Sequence, residues 1–151
     1  MNLYTDGAQS SKTKKGGWAV VSDSHEQNPS YPYLVAYGSE EVTTNNKMEL
    51  HAVIAALKYI FENDALPDHI IYTDSAYVAN CIKDRWYVRW RLNGWKNADK
   101  DPVKNKELWQ ELLQYYELLN VEILRIKAHA DNKFNNLADK YAVMAREGKI
   151  K

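Results

Sequence analysis

The chain has 151 residues, 45% of them hydrophobic and 26% charged, with 20 Lys+Arg balancing 20 Asp+Glu. At roughly 150 residues per domain this is one globular domain, and the zero net charge excludes a polycationic coat protein or an acidic solvating tail. It also weighs against nucleic-acid binding by bulk charge alone, which calls for a basic domain. The single cysteine, Cys81, excludes an intrachain disulfide and fits a reducing compartment. Residues 1–6 carry no basic-then-apolar leader, and no apolar run approaches the ~20 residues of a membrane span. The expectation is a soluble, cytoplasmic, single-domain protein.

The first strand ends in Tyr4-Thr5-Asp6-Gly7, a segment echoed at Tyr72-Thr73-Asp74-Ser75. Both copies follow apolar residues and read as strands that deliver an Asp at their C-terminal ends. Gly17–Ser22 and Tyr33–Tyr37 are two further strands, joined through a Pro- and Asn-containing loop at 23–32. A helix starts at the capping residues Thr44-Asn45-Asn46 and runs to about Asn63, with Leu50, Val53, Ile54, Leu57 and Ile60 at helical spacing. After the strand at 70–73 come a short helix from Ser75 to Ile82, a Trp-rich basic stretch to Asn105, and a helix over 105–119. A strand over 121–126 and a helix over 132–146 complete the chain. The order βββαβαααβα predicts an α/β fold with a mixed sheet, antiparallel on one side, parallel on the other, and covered by helices.

Ligands of open α/β sheets sit beyond the carboxyl ends of the strands. If the first and fourth strands are parallel neighbours, Asp6 and Asp74 converge there. Two adjacent carboxylates repel unless a proton or cation intervenes, and a hard divalent cation suits an all-oxygen cluster. An Asp that merely caps the next turn fits the same pattern. Glu49 shares a helix face with Val53, Ala56, Leu57 and Ile60. A carboxylate on an apolar face is costly unless paired or metal-bound, and the alternative is a position at the rim, in reach of water. Asp139 lies off the Leu137/Tyr141/Met144 stripe, so periodicity makes it a solvated helix-face charge, and His129 reads as a surface loop histidine. No Cys/His cluster, phosphate-binding Gly loop or nucleophile elbow is present.

Several segments together resemble ribonuclease H of type 1, the bacterial ribonuclease HI group. They are Asp6-Gly7, Thr44-Asn45-Asn46-Lys47-Met48-Glu49-Leu50, Thr73-Asp74-Ser75, Gly94-Trp95-Lys96, and the spacing from Lys127-Ala128-His129 to Asp139. The likeness covers the whole chain, 1–151, as a single catalytic domain with a basic handle at about 83–106. It implies a five-stranded mixed sheet, three antiparallel strands then two parallel, flanked by helices. It implies endonucleolytic hydrolysis of the RNA strand of RNA–DNA hybrids, leaving 5′-phosphate and 3′-hydroxyl ends. Asp6, Glu49, Asp74 and Asp139 match the metal-binding carboxylates, which would hold two Mg²⁺, with Mn²⁺ as a substitute, about 3.5–4 Å apart. His129 matches the histidine that assists proton movement or product departure. The resemblance thus reverses the plain readings of Asp139 and His129.

Gly7, Asn45 and Asn46 match positions that contact the two strands near the cut, and Thr44 a DNA-phosphate pocket. In the handle, eight cations oppose three carboxylates, a net charge of +5 that leaves −5 for the rest of the chain. Arg85 and Arg89, and Trp86 and Trp90, are each four residues apart, so on a helix each pair stacks along one side. With Lys96 they form either a DNA channel floored by tryptophans or a core-packing Trp pair beneath snorkelling arginines. The chain departs from the family pattern in the Lys-rich turn after Asp6, in Ala76 and Ala128, and in the longer 23–32 loop. These bear on affinity and rate. No tethering by a hybrid-binding module ahead of Met1 is expected, no obligate protein partner is implied, and a monomer is expected. The competing readings are a non-catalytic hybrid-binding domain and another nuclease of the same superfold, such as an exonuclease; the latter would show Asp-x-Glu where this chain has Asp6-Gly7-Ala8.

Overall fold

The computed structural model describes residues 1–24, 28–63, 68–127 and 132–150. Its elements follow the predicted order: β1 (Asn2–Gln9), β2 (Gly16–Ser22), β3 (Leu34–Glu40), α1 (Asn45–Glu62), β4 (His69–Thr73), α2 (Ala76–Lys83), α3 (Trp86–Leu92), α4 (Lys106–Leu118), β5 (Val121–Arg125) and α5 (Lys133–Arg146). The five strands form one sheet in the order β3-β2-β1-β4-β5. β1/β2 and β2/β3 pair antiparallel, while β1/β4 and β4/β5 pair parallel.

Strand alternation sends successive side chains to opposite faces. Leu3, Val20 and Ile71 pack with Leu50, Val53, Leu57 and Ile60 of α1 and with Trp109 and Leu112 of α4. Tyr4, Ala19 and Val21 pack on the other face against Ala138, Tyr141 and Ala142 of α5. Each fully buried aliphatic side chain contributes about 1.5–3 kcal/mol, so these two layers fix the sheet between α1 and α5. α5 crosses β2 closely enough that only glycine fits at Gly17, where a Cβ would meet the Ala142 carbonyl and the Arg146 amide.

Two strands depart by more than a residue from the sequence reading. β3 begins at Leu34 and reaches Glu40, because Tyr33 takes φ +66°, a left-handed conformation that breaks the strand. β1 does not end at Asp6 but runs on to Gln9. Its pairing with β4 stops at Thr5–Thr73, whereas its pairing with β2 continues to Gln9–Gly16. One edge of β1 is therefore open from Asp6 onward, and a cleft forms there.

Candidate active site

The repeated Tyr-Thr-Asp segments are register partners. Tyr4 pairs with Tyr72 and Thr5 with Thr73, and the Tyr4 and Tyr72 rings stack at 4.9 Å. Asp6 and Asp74 follow immediately. Turn capping accounts for neither. Asp6 lies inside a strand, and the cap of α2 is Ser75, whose Oγ accepts from the Val78 amide at 3.1 Å.

Glu49 enters from α1. Thr44 caps that helix, its Oγ1 accepting from the Lys47 amide at 3.2 Å. The Gln9 amide donates to Asn45 Oδ1 at 3.2 Å, and Gln9 Nε2 donates to the Thr43 carbonyl at 2.8 Å, which ties the helix start to the extended end of β1. Gly7 permits the contact: a Cβ there would lie 2.5 Å from the Glu49 amide nitrogen. Glu49 is consequently 4% exposed, not at the rim.

Carboxylate oxygens of Asp6, Glu49 and Asp74 lie within 4.8 Å of one another. Asp6 is likewise 4% exposed. Its pKa is pushed up to about 11, first by burial, then by the Glu49 charge, a hydrogen bond with Asp139, and the Asp74 charge. Burial and then Asp74 also raise Glu49 well above the carboxylate range. Glu49 Oε1 is buried and has no hydrogen-bond partner among the described residues. A buried, unpaired oxygen beside two further carboxylates makes a compact set of three hard oxygen ligands, which fits a divalent metal.

Asp139 projects from α5 onto the same cleft, of about 420 Å³, in the company of Gly7, Asn45 and Asn46. It is exposed and stands outside the tight group of three. Asn135, Asn136 and Tyr77 also line the cleft and were missed in the sequence. Asn135 and Asn136 precede Asp139 by one helical turn, so they become visible only once Asp139 is accepted as a cleft residue. His129 lies outside the described residues.

The helix of the predicted handle is short and stands clear of the core. α3 spans seven residues, none of them buried. Trp90 packs against Trp109 at 5.7 Å and Trp95 at 5.9 Å, and Trp109 is wholly buried. Trp86 meets Trp90 edge-on at 6.5 Å and remains 38% exposed. The two tryptophans divide the two readings between them: Trp90 anchors the arm on the core, and Trp86 faces outward. Arg85, Trp86, Arg89, Trp90 and Lys96 line one groove of about 520 Å³. Arg85 is the N-cap of α3 with φ +54°, not a residue within it. Arg91 makes a two-pronged ion pair with Glu117 on α4. Tyr77 connects arm and cleft: it lines the cleft, and its hydroxyl accepts from Asn105 Nδ2 of the arm at 3.4 Å and from Trp109 Nε1 of α4 at 2.7 Å.

Comparison with known proteins agrees with this geometry. The RNase H family model matches residues 1–147. A ribonuclease H of Acetivibrio thermocellus is 40% identical over 144 residues, covering 94% of this chain and 91% of the relative. One from a Thermoanaerobacter species is 41% identical over 142 residues, covering 94% and 86%. Among solved structures, LC9-RNase H1, a type 1 RNase H with the type 2 active-site motif, superposes with TM-score 0.77 at 28% identity, over 99% of this chain and 72% of that one. The foamy viral protease-reverse transcriptase in complex with double-stranded DNA gives 0.76 at 26% identity, over 97% and 94%. With a family match over nearly the whole length and three clustered carboxylates at the open end of β1, the chain belongs to the RNase H family.

Proposed function

We propose that this protein is a metal-dependent endoribonuclease that hydrolyses the RNA strand of RNA–DNA hybrids, leaving 5′-phosphate and 3′-hydroxyl ends. We further assign the whole chain to one catalytic domain with a basic arm at about 83–106, acting as a cytoplasmic monomer. The observation that carries the reading is the convergence of Asp6, Glu49 and Asp74, with Glu49 Oε1 buried and unpartnered among the described residues.

Asp6, Glu49 and Asp74 hold the cations, Mg²⁺ with Mn²⁺ as a substitute, and Asp139 completes the set from the rim. When bound, a pair of such cations supplies an activated water for in-line attack at phosphorus and neutralises charge on the leaving oxygen. The protein's own part is placement. Gly7, Asn45 and Asn46 border the carboxylates, where backbone and amide groups can read a 2′-hydroxyl, the feature that separates RNA from DNA. Thr44 lies at the exposed start of α1, suited to a phosphate of the DNA strand. Arg85, Arg89 and Lys96 hold phosphates along the arm while Trp86 presents a ring. His129 assists proton movement or product departure. This chemistry requires no covalent enzyme intermediate.

The test incubates end-labelled RNA–DNA hybrid, duplex RNA, duplex DNA and single-stranded RNA with the protein, with and without Mg²⁺. Cleavage confined to the RNA strand of the hybrid, and only with metal, is expected. Cleavage of duplex DNA, or cleavage without metal, overturns the assignment.

A further inference from the structure

Between α5 and the segment that leads into β3 lies a further cavity of about 430 Å³, which shares no lining residue with the carboxylate cleft. Tyr31, Tyr33, Leu137, Lys133 and Lys140 line it, together with the largely buried Tyr141. Among the described residues, no acidic side chain lines it. Tyr31 and Tyr141 meet edge-on at 6.1 Å. The Lys133 ammonium sits 5.1 Å from the centre of the Tyr33 ring. Tyr33 is held at φ +66°, a costly conformation for an aromatic residue. That conformation stands at the entry to β3, where the ring is clamped by an edge-on contact with Phe134 at 5.2 Å.

Aromatic faces bordered by ammonium groups complement a planar ring tethered to an anionic group. A nucleobase joined to a phosphate has that form, because base–aromatic stacking tolerates any base and a lysine pairs with the phosphate. Helix geometry sets the cleft and the cavity on adjoining flanks of α5. Asp139 faces the cleft, and its neighbour Lys140 lines the cavity, one helical step of about 1.5 Å and 100° away. An aromatic column joins the two sites: Tyr33 on Phe134, Phe134 on Tyr4 at 5.4 Å, and Tyr4 on Tyr72 at 4.9 Å. Tyr4 and Tyr72 each stand two residues before a site carboxylate, Asp6 and Asp74.

We propose that this tyrosine–lysine cavity is a second nucleotide site, which stacks one base and pairs its phosphate with Lys140. The unit has two sources to distinguish, a free nucleoside monophosphate and an unpaired nucleotide flanking a bound duplex.

The test is amide NMR on the full chain without divalent metal, titrated with AMP, adenosine and inorganic phosphate separately, then with hybrids that carry or lack a four-nucleotide single-stranded extension. AMP is expected to shift Tyr31, Leu137 and Lys140 saturably, with adenosine and phosphate each at least tenfold weaker. Lys140→Ala should weaken AMP at least fivefold while metal-dependent hybrid cleavage stays within twofold of the parent, which separates this site from the catalytic reading. Shifts at these residues with the extended hybrid but not the blunt one assign the strand as the source; shifts with AMP alone assign the free nucleotide. Shifts confined to the carboxylate cleft and the basic arm, or an AMP response unchanged by both Lys140→Ala and Tyr31→Leu, overturn the proposal.

Discussion

Gly7 and Glu49 meet backbone to backbone, so closely that a Cβ on Gly7 would stand 2.5 Å from the Glu49 amide nitrogen and equally close to the Met48 carbonyl carbon. The obstacle is helix backbone, not the tip of a flexible side chain. Gly7→Ala must therefore push the start of α1 off β1 and take Glu49 with it. Overpacking of this kind costs about 1–3 kcal/mol, so urea denaturation should show a lower midpoint. A metal titration should show weaker binding as well. An unchanged midpoint with unchanged metal affinity would place the contact elsewhere.

The metal-free carboxylate cluster should make stability depend on pH in an unusual direction. Burial, chiefly, pushes Asp6 up to about 11 and Glu49 well above its ordinary range. Groups raised in the folded state bind more protons folded than unfolded. Their contribution is fully present below the unfolded value of about 4 and is lost as pH rises from there toward the folded values. Metal-free protein should lose thermal stability between about pH 4 and 8 through these two groups, and a divalent cation at pH 8 should restore it by mass action. Asp6→Asn has no charge to desolvate and should be the more stable metal-free protein at pH 8. Its Tm should rise by at least about 2–4 °C, which corresponds to about 1 kcal/mol in a domain of this size. Scanning calorimetry with chelator and with Mg²⁺ measures both effects.

Asp6→Asn, Glu49→Gln and Asp74→Asn each remove one charge from the cation site while keeping its shape. Each should lower turnover of the hybrid by at least about 100-fold, since loss of preorganised charge at a reacting phosphate costs several kcal/mol. Hybrid affinity, which rests on the arm and the cleft edges, should change less than threefold. Near-normal turnover in any of the three would remove that residue from the site.

Within the arm, the cations divide by their partners. Arg89 and Lys96 line the groove, whereas Arg91 is tied to Glu117. Arg89→Ala or Lys96→Ala should raise KM and reduce the slope of log affinity against log salt by about one. Arg91→Ala should alter that slope less. Fluorescence anisotropy across a salt series separates these variants.

The tryptophans divide by burial. Trp109 is fully buried, so Trp109→Ala should cost about 3–5 kcal/mol of folding stability. Trp86 is 38% exposed, and Trp86→Ala should leave the denaturation midpoint near that of the parent while weakening single-strand and hybrid binding by about 1–3 kcal/mol. A midpoint shift for Trp86→Ala as large as that for Trp109→Ala would mean that both serve the core.

Periodicity, local punctuation and composition, all readable without the tertiary structure, determined the order of elements, the Tyr-Thr-Asp echo, the apolar face on which Glu49 sits, and the charge separation hidden by a net charge of zero. Asp139 was beyond them. Its exposure obeys the helix pattern, and only the packing of α5 across β1 and β2 brings that flank to the cleft beside Asn135 and Asn136. The continuation of β1 beyond Asp6 depends on a partner strand that pairs on one side and stops on the other, which no local window contains. The separation of Trp90 from Trp86 likewise required α4, because Trp109 lies about twenty residues downstream and chooses which ring it covers. Local sequence sets which face of each element is apolar; the contacts between elements decide which polar groups are left to meet.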